Sequence, residues 1–303
     1  MLKRFSLFGT AWVVAMLPAS GSAQEGNARA DAKPSAQAPA SSDTSTRGIP
    51  SWATDAKWYQ VAVPRFHNGD SSNDPPGTTA WATGWPWKSD GSSPVVAPPS
   101  PKPVGGDFAG VQKRLTYLSE LGVNTLCLTD VFQTDPANPA GGVDLRHVDD
   151  SLGVGDSLTK LKDETADPST WEFSESDRAF LKVVRSAHEA GFRVVVAFEA
   201  DRGLDGGFLT HVARRWMDPD GDKDPSDGID GWWVREPGTR PSEFWKEWRK
   251  RVKAINPQAL LVCDVDVDPA PWLKGSQFDV AVDRGAAREL ARFFVNPDRP
   301  NGL

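Results

Sequence analysis

The chain has 303 residues, of which 39% are hydrophobic and 25% are charged, and its formal net charge is −7. A chain of this length can bury a sizeable core, as one large domain or two small ones. The acidic balance lacks the basic footprint of proteins that bind nucleic acid or anionic membranes, so neither partner is expected.

The N-terminal stretch carries targeting and linker signals. Residues 1–23 combine Lys3 and Arg4, an apolar run and a small-residue site ending at Ala23, which predicts a signal peptide and a secreted or periplasmic protein. A membrane anchor is the alternative, but this run is shorter than the ~20 apolar residues that span a bilayer. Residues 24–48 are rich in Ala, Ser and Pro, which predicts a disordered tether before a domain over 49–303.

From residue 49 onward, strand patterns alternate with helix patterns. Strands are predicted over 57–63, 124–131, 192–198, 229–234, 260–265 and 278–282, and helices over 108–121, 174–190, 206–217, 242–255 and 285–294. Ser174 and Ser242 are predicted to cap the second and fourth of these helices, with Asp177 in the acidic first turn after Ser174. The segment 132–173 shows no clear periodicity. Alternation of this kind predicts βα units and a parallel sheet, with six strands where a complete (β/α)8 barrel would need eight.

The two cysteines lie in patterns typical of buried strands. Cys127 is in NTLCLTDV and Cys263 is in ALLVCDV. A secreted protein could pair them, but thiols on non-adjacent strands are too far apart to bridge. Both are interpreted as small buried hydrophobic residues. The four histidines show no metal-binding spacing.

Several long segments carry a family signature. They are WYQVAVPRFHNGDSSNDPPG, GGDFAGVQKRLTYLSELGVNTLCLTDVF, DPSTWEFSESDRAFLKVVRSAHEAGFRVVVAFEAD, RRWMDPDGDKDPSDGIDGWWV and PSEFWKEWRKRVKAINPQALLVCDV. They resemble the first to fifth strand regions of glycoside hydrolase family 13, the α-amylase family, in its neopullulanase and cyclomaltodextrinase branch. The resemblance covers residues 52–295. It implies an α/β fold, an incomplete TIM (β/α)8-type barrel with about six strands, and a homologue of α-glucan hydrolases.

The positions that match the family's catalytic motifs are changed. On the third strand, the motif DxxxNH is matched by Ala197, Asp201 and Arg202. On the fourth strand, the motif GxRxD has Trp233 at its arginine and Arg235 at its nucleophilic aspartate. The fifth-strand general acid, a glutamate, is matched by Asp264.

These changes bear directly on the chemistry. Retaining glycosidases need two carboxyl groups about 5–5.5 Å apart, whereas Arg235 offers only donors. Glu236 is one residue further along, and a one-residue step turns a side chain to the opposite face of a strand. Asp264 is one methylene shorter than glutamate, and a misplacement of ~1 Å can cost about a hundredfold. The sequence therefore predicts little or no hydrolase activity.

Two alternatives stay open. The chain could be a carbohydrate-binding pseudoenzyme whose ligand is an α-glucan or oligosaccharide, or a truncated gene product without a stable fold. An incomplete barrel also has open strand edges, which could pair with a partner chain or lead to self-association.

The chain has 13 tryptophans, which could stack on sugar rings or simply pack. Three of them lie in a stretch rich in Pro and Gly: Trp81, Trp85 and Trp87. For these three, sugar stacking and ordinary packing are both open. In contrast, Trp58, Trp245 and Trp248 are predicted to pack in the core.

Two short segments predict a structural calcium site. The candidate ligand residues are Asn68, Asp70, Asn73, Asp74, Gly105 and Asp107. Gly105 is included because glycine lets a backbone carbonyl come close to a ligand. Calcium takes six to eight oxygen ligands from carboxylates, amides and backbone carbonyls. Turn formation is the alternative, since Asn and Asp are common turn residues. The resemblance implies the site too, because the family's branch binds calcium through N-x-D-x-x-N-D and a following G-x-D.

A second acidic loop follows the helix predicted over 206–217. Asp218, Asp220, Asp222 and Asp224 alternate as in an EF-hand loop, but Lys223 stands at the sixth position, where that loop needs Gly. A solvated turn is the favoured interpretation, with metal binding as the alternative.

Overall fold

In the computed structural model, the described residues are 48–78, 104–134, 143–161, 163–200, 205–266, 268–274 and 276–284. Several predictions lie outside these residues. They concern the signal peptide, the tether up to residue 47, the helix over 285–294, Asp201 and Arg202, and Trp81, Trp85 and Trp87.

Within the described residues, eight strands form two sheets. The strands are β1 (Trp58–Ala62), β2 (Thr125–Thr129), β3 (Phe132–Thr134), β4 (Val143–Val148), β5 (Arg193–Glu199), β6 (Gly231–Arg235), β7 (Leu260–Val265) and β8 (Val280–Asp283). The main sheet has the order β1-β2-β5-β6-β7-β8, and all its pairs are parallel. It curls into a half-barrel, which confirms the predicted incomplete TIM barrel.

Five α-helices in the described part of the chain accompany the sheet. They are α1 (Phe108–Glu120), α2 (Glu175–Glu189), α3 (Gly206–Met217), α4 (Ser242–Ile255) and a short α5 (Ala270–Lys274), which the sequence analysis missed. Ser174 and Asp177 form a reciprocal capping box at α2, as the sequence predicts. The cap predicted at Ser242 is wrong by one residue, because extended Pro241 precedes α4 and accepts the first turn's bond from Phe244 N.

The two faces of the main sheet pack differently. Residues such as Leu126, Val196 and Trp232 face the helices and join a large core that includes Trp245 and Trp248. Alternate residues face the concave side, where a second, smaller cluster forms. That cluster is Ala53, Cys127, Val195, Ala197, Trp233, Leu260 and Val262, with the half-buried Trp58 against it. Because side chains alternate along a strand, Arg235 follows Trp233, and Asp264 follows Val262, on the concave face.

The predicted burial of both cysteines is confirmed. Cys127 lies on β2 facing the concave cluster, and Cys263 lies on β7 in the helix-side core. Two strands, β5 and β6, separate them. Burial raises the pKa of both thiols, to about 12 for Cys263.

The segment without periodicity contains the antiparallel pair β3–β4, with a register irregularity between Phe132 and Gln133. Trp216 of α3 supports this pair, since its Nε1 donates to Leu145 O at 2.8 Å and its ring packs on Phe132. The pair therefore depends on contacts with α3 rather than on its own apolar repeat. No helix in the described ranges is long and apolar enough to cross a membrane.

Candidate active site and calcium loop

The carboxyl ends of three neighbouring strands align at one edge of the sheet. In the register, Glu199 of β5 is opposite Arg235 of β6, and Arg235 is opposite Asp264 of β7. In barrels of this type, reacting groups project from this edge. The structure thus brings the two positions predicted from the sequence, Arg235 and Asp264, side by side.

Arg235 lies among carboxylates. Its Nη1 is 3.8 Å from Asp130 Oδ1 and 3.8 Å from Glu199 Oε1. The Asp130 side chain is 53% exposed and that of Glu199 is 69% exposed. Exposed ion pairs contribute only ~0–1 kcal/mol. Because a guanidinium stays protonated and has only donors, Arg235 carries a permanent positive charge and no nucleophilic character. It stands at the position that matches the family's nucleophile.

Asp264 is buried and engaged in an ion pair. Its Oδ2 is 2.5 Å from Arg284 Nη2, and the residue is 4% exposed. The hydrogen bond from Arg284 to Asp264 raises the pKa of Arg284. Asp264 Oδ1 is buried without a hydrogen-bond partner in the described part of the chain. The carboxylate therefore acts as the acceptor in an ion pair with Arg284, an arrangement unsuited to proton donation.

Among the described residues, the other motif positions offer no replacement carboxylate. Ala197 is 5% exposed and Trp233 is 6% exposed, and both belong to the concave cluster. β6 ends at Arg235, and Glu236 follows as an exposed residue in the left-handed conformation, with φ 51°. Glu236 is thus outside the strand row, and its separation from the nucleophile position arises from this bend as well as from strand alternation.

Three residues of this site were missed from the sequence alone: Asp130, Glu199 and Arg284. Each is the charged residue at or directly after the end of a strand, which is a recognisable signal. Their pairing depends on neighbouring strands, which a linear pattern does not show.

The six predicted calcium residues lie in two segments, which contact each other at Asp107 and Gly105. Asp107 links them: its carboxylate accepts N–H bonds from Gly69 at 3.0 Å and from Asp70 at 2.7 Å, and it caps α1 through Gly110. Asn68 Nδ2 donates to Asp74 Oδ1 at 2.7 Å. The loop after β1 is therefore fastened to the start of α1.

Two further observations test whether calcium fits here. A Cβ at Gly105 would collide with Asn68 Nδ2 and Asp74 Oδ1, so only glycine lets the backbone approach this pair, and φ is +73° there. Asn73 donates to Gly153 O at 2.9 Å, while its Oδ1 is buried without a partner in the described ranges. This donor set, made of amide and carboxylate oxygens beside a closely packed backbone, fits a calcium ion in its chemistry.

The acidic loop after α3 has a different geometry. Asp218, Asp220 and Asp222 each place a carboxylate oxygen within 4.8 Å of the others, and theirs is the one such acidic group among the described residues. Lys223, at the sixth position, has φ 74°. The loop's carboxylates also accept backbone N–H bonds, including Asp222 N to Asp220 and Asp224 N to Asp222. These bonds match the favoured interpretation of a solvated turn, and the metal alternative stays a prediction.

Comparisons with known proteins agree with the motifs. No family model matches the chain. Neopullulanase 2 of Thermoactinomyces vulgaris is 31% identical over 281 residues, which cover 81% of this chain and 45% of that protein. A Bacillus sp cyclomaltodextrinase is 28% identical over 282 residues, covering 82% of this chain and 47% of the relative. The chain thus spans a little under half the length of these relatives.

A solved structure confirms the fold. The cyclic alpha-maltosyl-(1-->6)-maltose hydrolase from Arthrobacter globiformis, in complex with that cyclic sugar, matches with a TM-score of 0.58 and 20% identity. The match covers 82% of this chain and 59% of the hydrolase. Together, the relatives confirm the resemblance that the strand motifs carry.

Proposed function

We propose that this chain, a homologue of the α-glucan hydrolases of glycoside hydrolase family 13 (the α-amylase family), has little or no hydrolase activity. One observation carries the proposal: Arg235, which the motif match aligns with the family's nucleophile, faces Asp130 and Glu199.

Two physical arguments support this. A retaining mechanism forms a covalent glycosyl-enzyme intermediate on a carboxylate, and a guanidinium cannot form it. The second carboxyl group must also donate a proton to the leaving group, whereas Asp264 is buried beside Arg284 at 2.5 Å. Loss of the nucleophile outweighs the shortened acid, because a misplaced acid still leaves some catalysis.

The direct test is an assay of the purified chain on maltooligosaccharides and pullulan. We expect no turnover above background for the unaltered protein, and none for Asp264→Ala or Glu199→Gln. Turnover that disappears in Asp264→Ala would show that the altered site still works. Turnover that survives this substitution but is lost in Glu199→Gln would place the chemistry on another carboxylate.

A second candidate, in the binding class, is a pseudoenzyme that holds an α-glucan or oligosaccharide at the same edge of the sheet. It is favoured by two buried polar atoms on the concave side without partners among the described residues, Trp233 Nε1 and Asp264 Oδ1. Sugar hydroxyls can both donate and accept hydrogen bonds, so they suit this pair. Calorimetric titration with maltooligosaccharides separates the candidates: saturable binding without turnover supports the pseudoenzyme, and no heat of binding removes it.

We also propose calcium as a structural ligand. The residues that would hold it are Asn68, Asp70, Asn73, Asp74, Gly105 and Asp107. Bound calcium would supply positive charge between the loop after β1 and the start of α1, and would stabilise the folded state by mass action. We expect millimolar calcium to raise the melting temperature above its value in EGTA, with about one ion per chain by elemental analysis.

Two variants make the calcium test specific. The change Asp70→Ala combined with Asp107→Ala should abolish the shift in melting temperature. The matched control, Asp220→Asn with Asp222→Asn, removes the same number of carboxylates from the acidic loop and should leave the calcium stoichiometry unchanged. A lower stoichiometry in the control would assign the ion to the acidic loop instead.

A further inference from the structure

A buried histidine joins β4 to a neighbouring loop and to α2. His147 is 4% exposed, and each of its ring nitrogens lies against a carboxylate. Nδ1 is 2.8 Å from Asp177 Oδ2, and Nε2 is 2.7 Å from Glu164 Oε2. Ionised carboxylates only accept hydrogen bonds, so both ring nitrogens must donate. Only the imidazolium form carries two N–H groups, and this arrangement therefore needs a protonated His147.

The two carboxylates depend on His147 to different degrees. Asp177, whose side chain is fully buried, also accepts from Ser174 N at 2.9 Å and Val148 N at 3.0 Å, and pairs with Arg215 Nη2 at 3.0 Å. Asp177 therefore keeps three donors if His147 loses a proton. Because its second role is to cap α2, its position is fixed by the helix.

Glu164 has fewer partners. Its Oε1 accepts from Glu172 N at 2.6 Å, and its Oε2 faces His147 and lies 3.8 Å from Arg146 Nη1. A neutral ring keeps one N–H group. Asp177 is held in place by α2 and cannot move away from a ring lone pair, whereas Glu164 lies in a loop and can. The remaining proton therefore stays on Nδ1, and the lone pair of Nε2 faces Glu164 at 2.7 Å, which makes that contact repulsive. The bond to Glu164 is thus the one that deprotonation breaks.

The charges around His147 balance only when it is protonated. The neighbouring groups are Asp144 and Arg146 on β4, Asp177 on α2, Arg215 on α3 and Glu164 in the connecting loop. With the imidazolium, three positive charges oppose three negative charges. Loss of the proton leaves one uncompensated negative charge in a region of low dielectric, which is costly.

Glu164 belongs to a loop, residues 163–173, that covers part of α3. Trp171 packs edge-on against Phe208 at 5.5 Å, and Phe173 packs against Trp216 at 6.0 Å. Arg215 lies over the Phe173 ring at 4.0 Å. The loop therefore shields aromatic surface of α3. It is attached through Glu164 at one end, through these rings at the other, and through the bond that Arg215 Nη2 donates to Glu172 O.

We propose that His147 is a pH-operated latch for the loop 163–173: when protonated it holds the loop closed through Glu164, and when neutral it releases it. The direction of the titration agrees with the geometry. Burial lowers the pKa of His147, but hydrogen bonds and charge from Asp177, and then from Glu164, outweigh it and raise the pKa above its usual value. A raised pKa means that the latch is fully closed below ~6.5 and opens as pH rises through the higher, closed-state value.

The experiment compares the full chain with Glu164→Gln. A glutamine amide can donate to a neutral ring nitrogen, so its bond to residue 147 survives loss of the proton. Hydrogen exchange of peptides covering 163–173, normalised to peptides from β5 and β6, is measured from about pH 6 to pH 9. Nitrogen NMR of the His147 ring reports its protonation directly. The matched control is Glu120→Gln, the same substitution at an exposed glutamate of α1.

We expect loop protection in the unaltered chain and in Glu120→Gln to fall about tenfold per pH unit while His147 titrates. In Glu164→Gln this fall should be absent. The ring should carry both protons below ~6.5. The same fall in Glu164→Gln as in the unaltered chain, or a neutral His147 ring below ~6.5, would overturn the proposal.

Discussion

Removal of the Asp107 carboxylate should destabilise the fold even without metal. The change Asp107→Ala deletes an acceptor that is completely buried and serves three backbone donors: Gly69 N, Asp70 N and Gly110 N. Loss of the helix cap costs ~1 kcal/mol. Each of the two loop donors left unsatisfied adds ~1 kcal/mol, the low end for partly buried groups. The expected total is therefore ~3 kcal/mol, a fall of about 6–12 °C in melting temperature for a domain of this size.

Urea unfolding in EGTA measures this loss without any calcium contribution. The matched control is Asp70→Ala. In the unaltered protein the Asp70 carboxylate is exposed and, among the described residues, accepts hydrogen bonds only from Ser72, two positions along the chain. We expect a small effect for Asp70→Ala in EGTA and an intermediate one for Asp107→Asn, which keeps one acceptor oxygen. A loss below ~1 kcal/mol for Asp107→Ala would refute the reasoning, because even the cap alone should cost that much.

Two other substitutions follow from the packing and the charges. Burial, with added repulsion from Asp220, Asp218 and Asp222, raises the pKa of Asp227, so its ionised form opposes folding above the unfolded pKa. Asp227→Asn should raise the melting temperature at pH 7, with the gain disappearing below about pH 4; an equal gain at both pH values would contradict this. Trp232→Ala removes a fully buried ring and should cost ~3–5 kcal/mol in urea unfolding, whereas a loss near 1 kcal/mol would show that the core collapses around the gap.

The main sheet could be predicted from local patterns. Runs such as the one around Val195 are β-branched on both faces, as expected of parallel strands covered on both sides. The cap of α2 could be predicted from Ser174 and Asp177, because its partners are three residues apart. The position of Arg235 at the end of β6, beside Asp264, could be predicted from the motif spacing and from the two-residue repeat of a strand.

Other features could not be predicted because their partners are far apart in the chain. The β3–β4 pair depends on Trp216 and on the network around His147, whose members come from β4, two helices and a connecting loop. The engagement of Asp264 by Arg284 joins residues 20 positions apart, one on β7 and one directly after β8. Polar contacts of this kind leave no periodic signal, since each group is selected by geometry rather than by hydrophobicity.

The most direct test of the central claim asks whether the chain has a nucleophile for glycosyl transfer. The purified protein is incubated with a fluorinated α-glucosyl fluoride, a reagent that traps the covalent glycosyl-enzyme intermediate of retaining enzymes, and its intact mass is measured. Because Arg235 replaces the nucleophile and Asp264 is paired with Arg284, we predict an unchanged mass. A glycosyl adduct mapped to any carboxylate, whether Asp264, Glu199 or Asp130, would contradict the account.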